Sequence, residues 1–511
     1  MNEVKFEQIS PADFFYRNRD IAGFTNPSRA LYMSIRELVE NSLDACEIGE
    51  ILPLIKIKLT ILEEKGETEI YRLYVEDNGI GVDAEHIPRA FATVLYGSKY
   101  SNKQSRGTFG LGGTMALLYG QITTNQPATV ISSKGKDIHE YKLMIDIVEN
   151  KPRILDHKVH CNNNNWRGTI VDFTLEADYQ NSKRKIIEYL RETSIANPHA
   201  TISFIDPKGR LYLFERVVNN APKPPKEALP HPLGIDAEAM IRLLSETKAK
   251  NLFNFLTTNF QKVGAKTAKE ILELAGLPLT MNTKKLKHED VTKLIEAIKK
   301  YKNFRAPDAS TLSPIGIEFL KAGIIKEFQP EFIEVVQRPP SAYSGFPFIV
   351  EVALAYGGKI PISDTYQLHR FANKIPLLYD ERADVSWKVV FEKINWNNYK
   401  VPKEAALAIF VHLCSTRIPY KTVGKEAIAD RPEIEREITI AIREAARSLK
   451  NHLSKIEKRE EKKKRLNIFI KYLPKIAQFS AKLSNRKKIP SIEPLLKSIG
   501  LEQIQIEEST T

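Results

Sequence analysis

In residues 29–47, RALYMSIRELVENSLDACE, Leu31, Ile35 and Leu38 recur at the spacing of one helix face, and Glu37, Asn41 and Asp44 fall at i, i+4 and i+7 on another. Asn26-Pro27-Ser28, just before, supplies a helix start. The period then changes. EIYRLYVEDNGIG, residues 69–81, reads as a strand ending in Asp77-Asn78-Gly79-Ile80-Gly81. RGTFGLGGTMALLYG, residues 106–120, sets Gly107, Gly110, Gly112 and Gly113 ahead of a second helical segment, and Arg167-Gly168-Thr169 precedes the strand-like IVDFTL. The alternation from residue 26 to about 216 predicts an α/β domain.

The pattern breaks at NNAPKPPKEALPHPLG, residues 219–234, a Pro-rich domain boundary. Residues 236 to about 304 predict short helices with Lys-rich faces, interrupted at VGAKT, LAGLPLT and LKHED. A second mixed unit begins near 310, with strand-like FPFIVEVALAYGG (346–358), then NKIPLLYD (373–380) and WKVVF (387–391), then helix-like AALAIFVHLC (405–414). Residues 431–483 form a long charged helical pattern that Pro474 is expected to break. Asn162 to Asn165, the one low-complexity tract, is expected to be a loop.

Length and charge narrow the picture. At 511 residues the chain has room for about three domains with their own cores. Three widely spaced cysteines, Cys46, Cys161 and Cys414, offer no C-x-x-C pair, which points to a reducing, cytoplasmic compartment. The most apolar stretch is short and carries Glu351, so no membrane span or leader is expected. The formal charge of +13 is local: residues 441–500 hold 17 Lys or Arg against 5 Asp or Glu. Such a run is either a solvated helix face or a contact for nucleic acid or an acidic partner.

Each chemical motif has an ordinary reading when taken alone. An acidic helix face is commonly solvated, D-N-G commonly ends a strand, and glycines make flexible loops. HKVHC (His157, His160, Cys161) lacks a further ligand pair for a metal. VGKEA around Lys425 and VGAKTA around Lys266 both lack the glycine spacing of a Walker loop. The order is what carries information: Glu37-x-x-x-Asn41, then Asp77-x-Gly79-x-Gly81, then Gly107-x-x-Gly110-x-Gly112, then Arg167-Gly168-Thr169. It resembles the four boxes of the GHKL ATPases, the group of gyrase, histidine kinases, MutL and the cytosolic heat-shock chaperone, and implies a GHKL, or Bergerat, α/β sandwich.

That resemblance implies ATP and Mg²⁺ as ligands. Asp77 would accept from the adenine amino group, with Gly79, Gly81 and Thr169 beside the base. Asn41 would give Mg²⁺ a neutral oxygen, with Asp44 nearby, and Glu37 would activate the attacking water. Ser98, Lys99, Gly107, Thr108, Phe109, Gly110, Leu111, Gly112, Gly113 and Thr114 would cover the triphosphate.

No phosphoacceptor histidine with dimerising helices is expected ahead of Glu37, and no D-x-D of a DNA-cleaving metal site occurs in the chain. RFANKIPLLYD (370–380) and CSTRIPYKTVGKEAIAD (414–430) resemble the transducer of the archaeal topoisomerase VI B-subunit family; PHPLGIDAEAM and VGAKTAKEILELAGL resemble its helix-two-turns-helix insert. The resemblance implies an α/β multidomain chain: a strap and GHKL ATPase domain at 1–228, a helix-two-turns-helix domain at 229–306, a transducer with a long helix at 307–470, folded like the second domain of a small-subunit ribosomal protein, and a tail at 471–511. It further implies that Lys425 reaches the γ-phosphate, that residues 9–15 strap onto a second copy in an ATP-driven dimer, and that a DNA-cleaving A subunit and double-stranded DNA are partners in an A2B2 assembly. The alternative is a nucleotide-switched clamp or chaperone that passes no strands.

Overall fold

The computed structural model describes residues 8–65, 68–97, 103–107, 111–422, 424–485, 488–492 and 494. Ser98, Lys99, Thr108, Phe109 and Gly110, and the tail beyond 494, lie outside the described residues. The chain divides into two compact units, residues 1–395 with 403–446, and residues 396–402 with 447–511.

The first unit opens with α1 (Pro11–Arg17), which buries Ala12 and Phe15 in the chain's own core and leaves Phe14 and Tyr16 exposed. Helix α2 (Pro27–Ile48) starts where expected: the Asn26 side chain accepts from the Arg29 N–H at 2.8 Å, and Pro27 takes the first turn, where no donor is needed. Of its 22 residues, 16 are buried, so its polar side chains must find partners or a ligand. Strands β1 (Leu54–Lys65), β2 (Thr68–Glu76), β3 (Ala128–Lys134), β4 (Asp137–Asp146), β5 (Lys151–Cys161), β6 (Arg167–Ala177), β7 (Thr201–Ile205) and β8 (Leu211–Phe214) form one sheet in the order β5-β4-β3-β6-β2-β1-β7-β8. Only the β1/β7 pair is parallel. Helices α3 (Ile87–Ala92), α4 (Gly112–Thr124) and α5 (Tyr179–Ala196), together with α2, share the apolar core of this sheet, and Asn162 to Asn165 turn between β5 and β6.

Four short helices, α6 (Ala237–Glu246), α7 (Leu252–Asn259), α8 (Ala265–Ala275) and α9 (His288–Lys300), follow and close on their own core around Met240, Phe255, Leu272 and Leu294. Next come α10 (Ile317–Phe328) and β9 (Phe332–Gln337), β10 (Ser341–Tyr343), β11 (Phe346–Tyr356), β12 (Gln367–Ala372), β13 (Ile375–Pro376) and β14 (Leu407–Ser415). They form a second sheet in the order β10-β11-β14-β12-β13, with β9 also on β11. Ile195 and Ala196, at the end of α5, sit in the core of this second sheet with Phe328, Ala353 and Phe410. The two α/β regions are thereby joined through a shared apolar seam.

Three expectations are corrected. AALAIFVHLC is strand β14, with all nine strand residues buried; a strand covered on both faces shows a continuous apolar run that periodicity cannot tell from a helix. WKVVF lies in α11 (Val385–Lys388), capped by Asp384, and in the π-turn that follows it, Val389–Lys393. Helix α12 (Pro432–Leu483) runs through Pro474, which gives up one backbone donor without ending the helix.

Within the first unit, α12 buries Ile434, Ile438, Ala441 and Ile442. The second unit holds its remainder, where Lys400 pairs with Glu457 and Ile468, Phe469, Tyr472, Ile476 and Phe479 are exposed. Among the described residues, no helix is long and apolar enough to cross a membrane.

Candidate active site

A cavity of about 560 Å³ opens between α2, the end of β2, the start of α4 and β6, a size suited to a nucleotide-sized ligand. Glu37, Asn41, Asp44, Asp77, Gly81, Gly107, Leu111, Gly112, Gly113, Thr114 and Thr169 all line it, and Lys425 reaches it from the segment after β14. Gly79 stands behind the wall, where its N–H donates to Asp77.

At one end Asp77 is fixed from three sides. Its Oδ1 accepts from the Gly79 and Thr169 N–H groups at 2.9 and 3.2 Å, and its Oδ2 accepts from Ser42 Oγ at 2.9 Å. Burial pushes its carboxyl above the usual range, against the pull of these donors. Asn78 staples the strand end by donating to the Leu52 carbonyl and accepting from the Leu54 N–H. Gly81 has φ +70°, and a Cβ there would lie 2.1 Å from the Ser133 carbonyl oxygen, so only glycine fits beside β3. Thr169 meets Ser132 Oγ at 3.1 Å.

At the other end α4 begins at Gly112, so its free N–H groups and positive dipole end face the space beside α2. A Cβ at Gly112 would fall 1.6 Å from Glu37 Oε2; the carboxylate therefore packs directly on this backbone. Asn41 lies one turn beyond Glu37 and lines the same wall. Acceptors at one end and backbone donors at the other suit a base and an anionic chain, respectively.

Below the cavity is a charged layer that motif spacing does not reveal. Arg36 is fully buried; its Nε donates to Glu40 at 2.8 Å and its Nη1 to Glu426 at 3.3 Å, where Arg29 also arrives. Burial pushes the Glu40 and Glu426 carboxyls up while Arg36 opposes the shift. Lys425 Nζ donates to the Arg106 carbonyl at 3.1 Å and lies 4.0 Å from Glu40 Oε2. Asp44, expected to serve the ligand, accepts from Arg106 at 2.9 Å while still lining the cavity. The one local signal of this layer is the i, i+4 pair Arg36 and Glu40; Glu426 and Arg106 come from distant segments.

Known proteins match this arrangement along nearly the whole chain. The family described as histidine kinase-, DNA gyrase B-, and HSP90-like ATPase matches residues 26–177. The family described as Topoisomerase VI B subunit, transducer matches residues 307–465. The B subunit of the type 2 DNA topoisomerase 6 of Sulfurisphaera tokodaii is 45% identical over 482 residues, covering 94% of this chain and 90% of the relative. The corresponding protein of Saccharolobus solfataricus is 43% identical over 518 aligned residues, covering 99% and 97%.

Proposed function

The chain belongs to the B-subunit family of type 2 DNA topoisomerase 6, and from that premise we propose how its cavity drives strand passage. It is an ATP-hydrolysing component of a type II DNA topoisomerase, built on a gyrase B-like ATPase domain and a transducer. A clamp or chaperone without strand passage is set aside by that membership.

Asp77 selects adenine by accepting from its amino group, and Gly81 lets the base lie against backbone. The start of α4 receives the phosphates through its N–H groups. Glu37, held against Gly112, orients the attacking water and takes its proton, a contribution of roughly 10² to 10⁴ in rate. Lys425 meets the γ-phosphate with a point charge that loses its counterpart on hydrolysis.

The donor set also fits Mg²⁺. Asn41 lines the cavity with one neutral oxygen. That suits a hard ion which keeps most of its water and binds mainly to phosphate. Asn41 would hold it, and it would supply charge neutralisation at the triphosphate.

On this reading ATP closes two copies through the exposed face of α1, including Phe14 and Tyr16, and hydrolysis reopens them. An A subunit cleaves one duplex while another passes, in an A2B2 assembly. The basic residues of 441–500 and the lysines of α6 to α9 face DNA or that cleaving partner. The limits 1–228, 229–306, 307–470 and 471–511 are the working domains; the separate core of α6 to α9 supports the second of them. With three free cysteines the chain works in the cytoplasm, at the nucleoid.

The observation that supports the reading best is Lys425, a residue of the transducer-family segment in the left-handed region, φ +55°, lining the nucleotide cavity of the ATPase region. The test is decatenation of DNA circles by the chain with its cleaving partner. Activity is expected only with both proteins and ATP, and Lys425→Ala should abolish it by slowing hydrolysis. Strand passage by the chain alone overturns the division of labour. Wild-type hydrolysis in Lys425→Ala removes the lysine from the mechanism.

A further inference from the structure

The segment leading into the glycine-rich loop is gripped from the second α/β region at each of three consecutive residues. Gln104 exchanges two hydrogen bonds with the Ser313 backbone, donating at 2.9 Å and accepting at 2.7 Å. The Ser105 carbonyl accepts from Asn373 Nδ2 at 3.1 Å. The Arg106 carbonyl accepts from Lys425.

The Arg106 guanidinium closes a buried ring. Its Nη1 donates to Glu47 Oε2 at 2.5 Å and its Nη2 to Asn197 Oδ1 at 2.8 Å. Asn197 Nδ2 donates to the Lys374 carbonyl at 3.3 Å, and Lys374 Nζ returns to Glu47 Oε1 at 2.5 Å and to Ser313 Oγ at 2.8 Å. Lys374, Arg106, Glu47 and Asn197 are 2, 4, 8 and 0% exposed, so the ring is cut off from water and its ion pairs are little screened. Glu47 is held at about 2: burial alone would raise it, but Arg106 and Lys374 outweigh burial.

Lys374 is an unusual residue to find here. It sits with Asn373 in the tight turn between β12 and β13, both in the left-handed region, φ +68° and +48°. A lysine keeps that conformation only where its surroundings fix it. They do so: its backbone N–H donates to His412 Nε2 at 3.0 Å, and His412 Nδ1 pairs with Glu351 at 2.7 Å inside the second sheet. Lys425, in the left-handed region as well, reaches the same arginine from another segment.

We propose that Lys374 is a positioning residue for ATP hydrolysis: through Glu47 it holds Arg106 so that the Arg106 carbonyl seats Lys425 at the nucleotide, making two transducer lysines act on one arginine. This rests on the reading of Lys425 given above. Lys374 is not among the residues that line the cavity. Its effect therefore passes through the placement of Lys425 and of Gly107, and falls on turnover more than on nucleotide affinity.

The test compares steady-state ATP hydrolysis by the full chain carrying Lys374→Met, Lys374→Arg, Glu47→Gln, Lys425→Ala, and Lys374→Met with Lys425→Ala, each checked by thermal melting. Lys374→Met and Glu47→Gln should lower kcat about tenfold with KM within about twofold, and Lys374→Arg should recover most of the turnover, because a guanidinium still bridges Glu47 and Ser313. The double variant should be no worse than Lys425→Ala, since both act through one contact. Wild-type kcat in folded Lys374→Met beside an inactive Lys425→Ala overturns the proposal and leaves the Lys425 reading intact. Wild-type turnover in Lys425→Ala overturns that reading instead. Should Lys374→Met not fold, a folded Lys374→Arg that hydrolyses no faster than Lys425→Ala counts equally against the proposal.

Discussion

Helix α2 serves two regions that treat charge in opposite ways. Toward the cavity, Glu37 and Asn41 face open space, and Asp77 across from them has acceptor capacity left at Oδ2 beyond its three donors. Toward the second sheet, Arg36, Glu40 and Glu47 are committed to protein partners: Glu426, Arg106 and Lys374. Glu37 and Glu40 are the same residue type one helical turn apart. One waits for a ligand, and the other is pinned beneath Arg36. A single helix can thus bind a nucleotide on one face and report the event on another, because Glu37 lines the cavity while the ion pairs of Arg36, Glu40 and Glu47 lie below it.

The largest expected effect tests the open face. Glu37→Ala should reduce ATP turnover by about 10² to 10⁴ while a non-hydrolysable analogue still binds, since the base, phosphate and metal contacts remain. Hydrolysis rates and a binding titration check this together. Loss of analogue binding would move Glu37 from the reacting water to the architecture of the cavity and erase the contrast with Glu40.

The closed face should respond in stability. Arg36→Met leaves Glu40 and Glu426 buried without their shared cation, an arrangement that costs about 3–5 kcal/mol. Thermal or denaturant unfolding reads this directly. Asn41→Ala, on the open face, is the control and should stay within about 1 kcal/mol. If the two variants melt alike, the buried layer has no structural weight and the comparison fails.

The contrast also accounts for what could be read from the chain alone. Glu37, Asn41, Asp77, Gly81 and Thr169 were legible because the spacing within each box is local and the order of boxes is distinctive. Asn26 and Pro27 announced the start of α2 for the same reason: a cap acts within one turn. The links from Arg36 to Glu426 and from Lys374 to Glu47 were not legible, because these partners sit 390 and 327 residues away; only the pairing of Arg36 with Glu40 is local. Strand β2 could be read from its apolar/polar alternation, whereas β14, apolar at nearly every position, has no period and reads as a helix. The π-turn after α11 likewise carries no signal in local propensity, and the helix running through Pro474 goes against it.

The smallest effect expected is also the most selective. Asp77→Asn need not disturb the fold. The amide oxygen can take the place of Oδ1 and keep the Gly79 and Thr169 N–H bonds, leaving the NH₂ where Oδ2 stood, and Ser42 can turn its hydroxyl to accept instead of donate. What changes is the face shown to the base. Two donors now meet, the new amide and the adenine amino group, and ATP affinity should fall about 10- to 100-fold, as expected for losing a charge-assisted hydrogen bond of about 1.5–3 kcal/mol. Inosine triphosphate, which carries an oxygen where adenine carries the amino group, should bind the variant at least as well as it binds the wild type. Parallel calorimetric titrations of the two nucleotides separate this from general damage. A uniform loss for both would mean that Asp77 holds the cavity open and does not read the base, and ATP binding that does not change would remove it from the site.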